Sequence, residues 1–208
     1  MKFDEKSKHI LKLAIPATIE NILHALVGFI DTLMISRIGL IAVTAIGISN
    51  NILAVYLAVF IALGVGTSSL ISRYLGSGKV DDAKKIAIQS TGLSIITGII
   101  FGLITMFFGK QILGIMGAES EVIENAISFF YIVGGTSVFI SLVTVFGSIL
   151  RATGDTKSPM IVNTIVNILN VIIDYIFIFG LGPIPAMGVL GTAIGTVVSR
   201  IIGSIIMF

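Results

Sequence analysis

The sequence predicts an all-α fold: a polytopic membrane protein with six transmembrane helices. Three observations carry that expectation. Hydrophobic residues fill 55% of the 208 positions and charged residues only 12%, about half the roughly 25% of soluble domains. The mean hydropathy is +1.09, and the apolar residues gather into runs of the ~20 residues that a spanning helix needs. Lysine and arginine, finally, partition between alternate loops. This composition excludes a disordered chain, which needs low hydrophobicity and high charge. Without cysteine, a disulfide scaffold, a Cys-based zinc site and a thiol nucleophile are excluded too. The net charge of +2, with no basic stripe interleaved with aromatics, leaves no place for nucleic acid as a partner.

The six runs cover about 10–36, 41–71, 86–108, 124–149, 159–180 and 187–208. A short turn at 36–40 around Gly39 separates the first two, and Gly76, Ser77, Gly78 and Lys79 open a polar loop. An acidic stretch at 119–124, Gly154-Asp155 before Pro159, and Gly182-Pro183-Ile184-Pro185 make the later breaks. The first two runs exceed 25 residues and should tilt, kink or protrude. The last reaches Phe208 with no polar flank, which reads as an unfinished chain. A cleaved signal peptide is a poor reading of the first run, which is long, carries Glu20 and Asp31, and lacks an Ala-x-Ala site.

With the N-terminus inside the cell, ten basic residues fall on the cytoplasmic side: Lys2, Lys6, Lys8, Lys12, Arg73, Lys79, Lys84, Lys85, Arg151 and Lys157. Arg37 and Lys110 alone fall outside, and Arg200 sits in the sixth run near its inner end. That asymmetry fixes a cytoplasmic N-terminus in a cell membrane and makes the first and fifth helices parallel.

Ionisable residues are costly in a bilayer and are functional candidates by default. On a helix, Asp31 lies about 20° and His24 about 40° around from Glu20, so the first run carries one narrow polar stripe. The fifth run carries another, with Asn163, Asn167, Asn170 and Asp174 inside an arc of about 60°. Asp31 and Asp174 both sit in the outer half of their spans, roughly 7–12 Å above the midplane. Two carboxylates at one depth on parallel helices cannot both ionise cheaply. Such a pair holds a proton or wraps a small hard cation, with Asn and Thr oxygens completing the shell. Thr192, Thr196 and Ser199 share a face of the sixth run and can supply hydroxyls. The plainer reading is interhelical glue, worth about 0.6 kcal/mol per hydrogen bond. It suits the asparagines and His24 better than the two buried acids, and Glu20 can also snorkel to the inner headgroups. Pro16 interrupts the first run and implies a kink. Gly64, Gly66, Gly98, Gly102, Gly134 and Gly135 imply close helix approach.

These residues resemble a known family, the multidrug and toxic compound extrusion (MATE) transporters. The resemblance rests on LAIPATIENILHALVGFIDTLMISRIG (13–39), SLISRYLGSGKVDDAKK (69–85) and LRATGDTKSPM (150–160). It continues through NILNVIIDYIFIFGLGP (167–183) and MGVLGTAIGT (187–196). It implies an N-terminal six-helix lobe at 1–208 with the C-terminal lobe absent, either a fragment or one half of a homodimer. It also implies efflux of cationic amphipathic compounds in exchange for protons or sodium ions, with no other cofactor. Asp31, Asn170, Asp174 and Thr192 match the family's ion-coupling residues, and Pro16 its helix bend. Glu20, His24, Asn163 and Asn167 remain accessory polar residues.

Two other classes compete with that reading. A lipid or polysaccharide flippase of the same superfamily needs a cation-lined cavity, whereas the embedded charges here are mainly acidic. A membrane scaffold would need no ion site at all. An enzyme is disfavoured: no histidine follows Gly66-Thr67-Ser68-Ser69, and the two histidines make no His-Glu-x-x-His.

Overall fold

Seven helices follow one another in the computed structural model, which describes residues 5–208, with side chains from Ala14 onward except Ala17. They are α1 (Glu5–Ser36), α2 (Leu40–Gly76), α3 (Val80–Ile115), α4 (Ser120–Gly135), α5 (Ser137–Ala152), α6 (Lys157–Phe179) and α7 (Val189–Met207). The side chains of Lys2, Lys6, Lys8 and Lys12, which enter the charge argument, lie outside the described residues. Five helices are long and apolar enough to cross a membrane, and α4 with α5, bent by 47°, meets the same test only as a pair, which counts as a sixth crossing if the two form one span. Among the described residues there is no sheet, only an isolated bridge between Leu181 and Ile184. The fold is all-α and polytopic, as the composition predicts.

Helix α3 is sorted inside out relative to a helix of a soluble protein. On α3 the buried face is Ala83, Ser90, Ser94, Gly98, Gly102, Thr105, Gly109 and Leu113. Leu93, Ile96, Ile100, Leu103 and Phe107 point outward. Lipid is as apolar as leucine, so helices gain by close packing of small residues instead of by hiding large ones. A Cβ on Gly98 would stand 2.5 Å from the Val138 Cα, and one on Gly102 would stand 2.6 Å from the Gly135 carbonyl oxygen. Gly66, by contrast, has nothing within 4 Å, so close approach does not explain it.

Where one run is expected over 124–149, two helices meet at Thr136. The Thr136 hydroxyl donates to the carbonyls of Ile132 at 2.7 Å and Val133 at 3.3 Å, and the Ser137 hydroxyl donates to Gly134. Consecutive hydroxyls bonding back to the preceding turn, beside two glycines, are a known source of helix bending.

Phe60, Phe130, Leu113 and Tyr56 centre the main cluster between α2, α3 and α4. The Thr105 hydroxyl donates to the Phe101 carbonyl at 2.9 Å, so in the 3.0 Å contact between Tyr56 Oη and Thr105 Oγ1 the tyrosine is the donor. Replacing Tyr56 with Phe should cost about 0.5–1.5 kcal/mol in thermal unfolding of the detergent-solubilised chain.

The loop before α6 carries a cap. Asp155 Oδ1 accepts from the backbone N–H of Lys157 at 3.1 Å and of Ser158 at 3.0 Å. Hydrogen bonding by Ser158, side chain first and then backbone, holds this exposed carboxyl below its usual range. A depressed carboxyl stabilises the fold above its unfolded pKa and loses that contribution as pH falls through the folded value. Protection of the amides in the first turn of α6, taken relative to the intrinsic exchange rate at each pH, should therefore fall on acidification below about pH 4. An Asp155→Asn variant should show no such acid step.

A tight connection joins α6 to α7. Gly180 closes α6 at φ 77°, and a Cβ there would meet the Ala186 nitrogen at 2.8 Å. Leu181 and Ile184 exchange backbone hydrogen bonds of 3.1 Å, and Met187 N–H donates to the Phe177 carbonyl at 2.8 Å. The turn thus brings the start of α7 directly beside the end of α6. Farther along, a Cβ on Gly191 would stand 2.5 Å from Phe177, and one on Gly203 would stand 2.6 Å from Val166. The backbones are close where Gly191 meets Phe177, and at Gly203 the Val166 side chain fills the gap between the two antiparallel helices.

Candidate ion-coupling site

Helix α1 packs chiefly against α6, with a smaller contact to α2. Glu20 on α1 meets Asn163 on α6, and Asp31 lies within electrostatic reach of Asp174. Both pairs are separated by 143 residues in sequence, so the two helices run parallel and in register. The polar stripe on each helix therefore yields two separate clusters, about 11 residues or 16 Å apart along the axis.

In the outer cluster, Asp174 on α6 lies within electrostatic reach of Asp31 on α1 and beside Asn170 one turn earlier; α7 meets it at Gly195, and Thr192 lies about one turn before that glycine. Asp174 is fully buried, and its carboxylate lies where a Cβ on Gly195 would stand. Only a glycine at 195 leaves room for it. Six of the seven buried side-chain polar atoms without a hydrogen-bond partner, among the described residues, belong to this region. They are Asp31 Oδ1, Asn170 Nδ2, both Asp174 carboxylate oxygens, Thr192 Oγ1 and Arg200 Nη1; the seventh is Ser141 Oγ on α5. Thr192 differs from Thr67, Thr91, Thr105 and Thr144, whose hydroxyls all donate to the carbonyl four residues back. Its hydroxyl has no such partner. Unsatisfied buried polar atoms are rare in folded proteins, and a group of them calls for a partner such as water, a proton or an ion. The donor set is oxygen-rich, which suits a proton or a small hard cation.

An opening of about 220 Å³ lined by Ile30, Leu33, Met34, Arg37, Tyr175 and Phe179 flanks the cluster on the α1–α6 seam. Thr196 is half-buried, and the buried Ser199 spends its hydroxyl on the Gly195 carbonyl at 2.8 Å. Arg200 was not grouped with the acids by sequence reasoning. Its position about 40° around α7 from Thr196 and about 80° from Thr192 was the available signal.

The inner cluster is satisfied within itself. Asn163 Nδ2 donates to Glu20 Oε1 at 2.6 Å, and Arg151 Nη1 donates to Glu20 Oε2 at 3.5 Å. Pro16, one turn earlier on α1, is buried, Asn167 is half-buried and His24 is exposed. Arg151 also borders a cavity of about 440 Å³ between α2 and α5, together with Gly64, Ser68, Ser69, Thr144 and Ser148.

The family model described as MatE matches residues 16–176. The chain belongs to the MatE family. This MATE chain is 34% identical over 200 residues to the "Probable multidrug resistance protein NorM" of Thermotoga maritima, covering 96% of itself and 43% of that protein. It is also 34% identical over 203 residues to the "Uncharacterized transporter YisQ" of Bacillus subtilis, covering 98% and 45%. A solved structure described as "MATE in the bent conformation" superposes with a TM-score of 0.90 at 29% identity, covering 98% of this chain and 45% of that one. A MOP superfamily transporter from Pyrococcus furiosus superposes at 0.89 with 30% identity, covering 96% and 43%. The MATE chain thus spans a little under half the length of the relatives that it matches. The family consists of multi-pass membrane transporters and not of enzymes.

Proposed function

We propose that this chain is the ion-coupling lobe of a secondary transporter that exports cationic amphipathic compounds in exchange for sodium ions or protons. The supporting observation is the set of orphaned polar atoms shared by α1, α6 and α7. A cation entering by the α1–α6 seam meets Asp31 Oδ1, the Asp174 carboxylate and Thr192 Oγ1. Rotation of the Asn170 amide would present its oxygen as well. Binding offsets the repulsion between the carboxylates and draws α1 toward α6, while loss of the cation lets them separate. Pro16, just before the Glu20 anchor, provides a hinge between the inner and outer parts of α1. The lobe works with its N-terminus on the cytoplasmic side and against a second lobe, supplied by further chain or by a second copy.

The test is ion-coupled efflux of a cationic dye from cells expressing the chain, compared with Asp31→Asn/Asp174→Asn at matched expression. Efflux that follows a sodium or proton gradient and vanishes in the double variant is the expected result. Efflux unchanged in the double variant would overturn the assignment of the acids. Gradient-dependent ion uptake without dye export would overturn the cationic cargo alone.

A further inference from the structure

Arg151 has more hydrogen-bonding capacity than the inner cluster uses. Its Nη1 reaches Glu20 Oε2 at 3.5 Å, long against the ~2.7–2.9 Å of a charge-assisted bond. The same carboxylate is held more tightly by Asn163, at 2.6 Å. A guanidinium carries several N–H donors, and the others on Arg151 have no partner among the described residues. The side chain lies back over Gly147, where a Cβ would stand 3.1 Å from Nη2, and it borders the cavity of about 440 Å³ between α2 and α5.

That cavity is graded along its length. Gly64 abuts Ser148 and Ser72 Oγ donates to the Ala152 carbonyl at 3.4 Å, so α2 and α5 run parallel along it. Ile61 and Val65 therefore line the end toward the membrane interior, while Ser68, Ser69 and Arg151 line the end toward the α5–α6 loop. The Thr67 hydroxyl beside them donates to the Leu63 carbonyl at 2.8 Å. The hydroxyls of Ser68 and Ser69 have no such partner among the described residues. Arg151 stands one residue before the end of α5, where a crossing meets the headgroups. From there to Thr144 the cavity reaches two turns inward, about 10 Å.

We propose that this cavity binds a phosphate-bearing anionic amphiphile, with the phosphate on Arg151, Ser68 and Ser69 and the apolar chain along Ile61 and Val65. Basic pockets between membrane helices near a bilayer surface take anionic headgroups in this way. The site is separate from the outer cluster and depends neither on the coupling ion nor on the cationic cargo. Glu20 competes with the phosphate for one guanidinium, so it weakens the site instead of building it.

The test is binding of a fluorescent phosphatidylglycerol to the purified full chain in a non-ionic detergent. Unlabelled phosphatidylglycerol, dodecyl phosphate, phosphatidylcholine and inorganic phosphate serve as competitors. Arg151→Gln should weaken binding about tenfold. Glu20→Gln should tighten it about threefold, and this gain keeps the test open should Arg151→Gln fail to fold. Lys157→Gln, which removes an exposed cation on the neighbouring helix, should leave binding unchanged. No saturable binding overturns the proposal, as does binding unmoved or weakened in Glu20→Gln. A loss in Lys157→Gln equal to that in Arg151→Gln would assign the attraction to diffuse surface charge and overturn it too. So would displacement by phosphatidylcholine or inorganic phosphate as effective as that by unlabelled phosphatidylglycerol. Either ranking of the two anionic amphiphiles supports the site and names its source: a membrane lipid if phosphatidylglycerol displaces at the lower concentration, a soluble amphiphile if dodecyl phosphate does.

Discussion

Gly195→Val should abolish ion binding and lower the stability of the lobe by about 3 kcal/mol, at the upper end of overpacking penalties. A Cβ at 195 falls on the Asp174 carboxylate and 3.1 Å from the Asp174 backbone nitrogen, so the clash is with main chain as well as side chain. Helix α7 has little room to step aside, because about one turn earlier Gly191 already sits against the Phe177 backbone. The carboxylate would have to leave its seat, and the oxygens gathered around Thr192 and Asn170 would lose their centre. Thermal unfolding and sodium binding on the same preparation check both halves. Gly66→Ala is the matched control: its neighbourhood is empty, and alanine gains about 0.5–1 kcal/mol of helix propensity over glycine. That variant should be as stable as wild type or more so, with ion binding intact.

Arg151→Ala should be the second large effect. Glu20 is 23% exposed and Arg151 35% exposed, between the surface regime, where a pair is worth about 0–1 kcal/mol, and the buried one, where removing one partner costs about 3–5 kcal/mol. An intermediate loss of about 2 kcal/mol is expected. Combining it with Glu20→Gln should recover part of that loss, since the uncompensated carboxylate is then gone. A double-mutant cycle measures the coupling, and strictly additive effects would show that the pair contributes nothing. Asn163, which donates to the same carboxylate at 2.6 Å, holds Glu20 in place in either single variant.

The register of the candidate site was legible in the sequence where periodicity and depth coincide. Asp31 and Asp174 stand at matching heights on helices that the loop charges make parallel, and the structure pairs them in the same register as Glu20 and Asn163. Periodicity names a face and not a neighbour, which is why His24, on the same stripe, is exposed while Glu20 one turn before it finds Asn163 and Arg151. Arg200 escaped because the positive-inside argument sorts arginines by side of the membrane and not by the helix face that they occupy. The bend at Thr136 escaped for a different reason: Gly134 and Gly135 are signs of close packing and of a break alike. Only the hydroxyls of Thr136 and Ser137 turning back on the previous turn decide between them.

The inward-facing small residues of α3 and α7 bear on how such a chain tolerates change over evolutionary time. In a soluble protein the core resists truncation and the surface is permissive. Here the constraint is on upper size: Gly98, Gly102, Gly191, Gly195 and Gly203 can hardly grow, whereas Leu93, Ile100 and Phe107 can shrink at little cost where lipid fills the space. Drift should therefore run fastest among the bulky residues that face outward. The slowest positions should be those that carry almost no side chain.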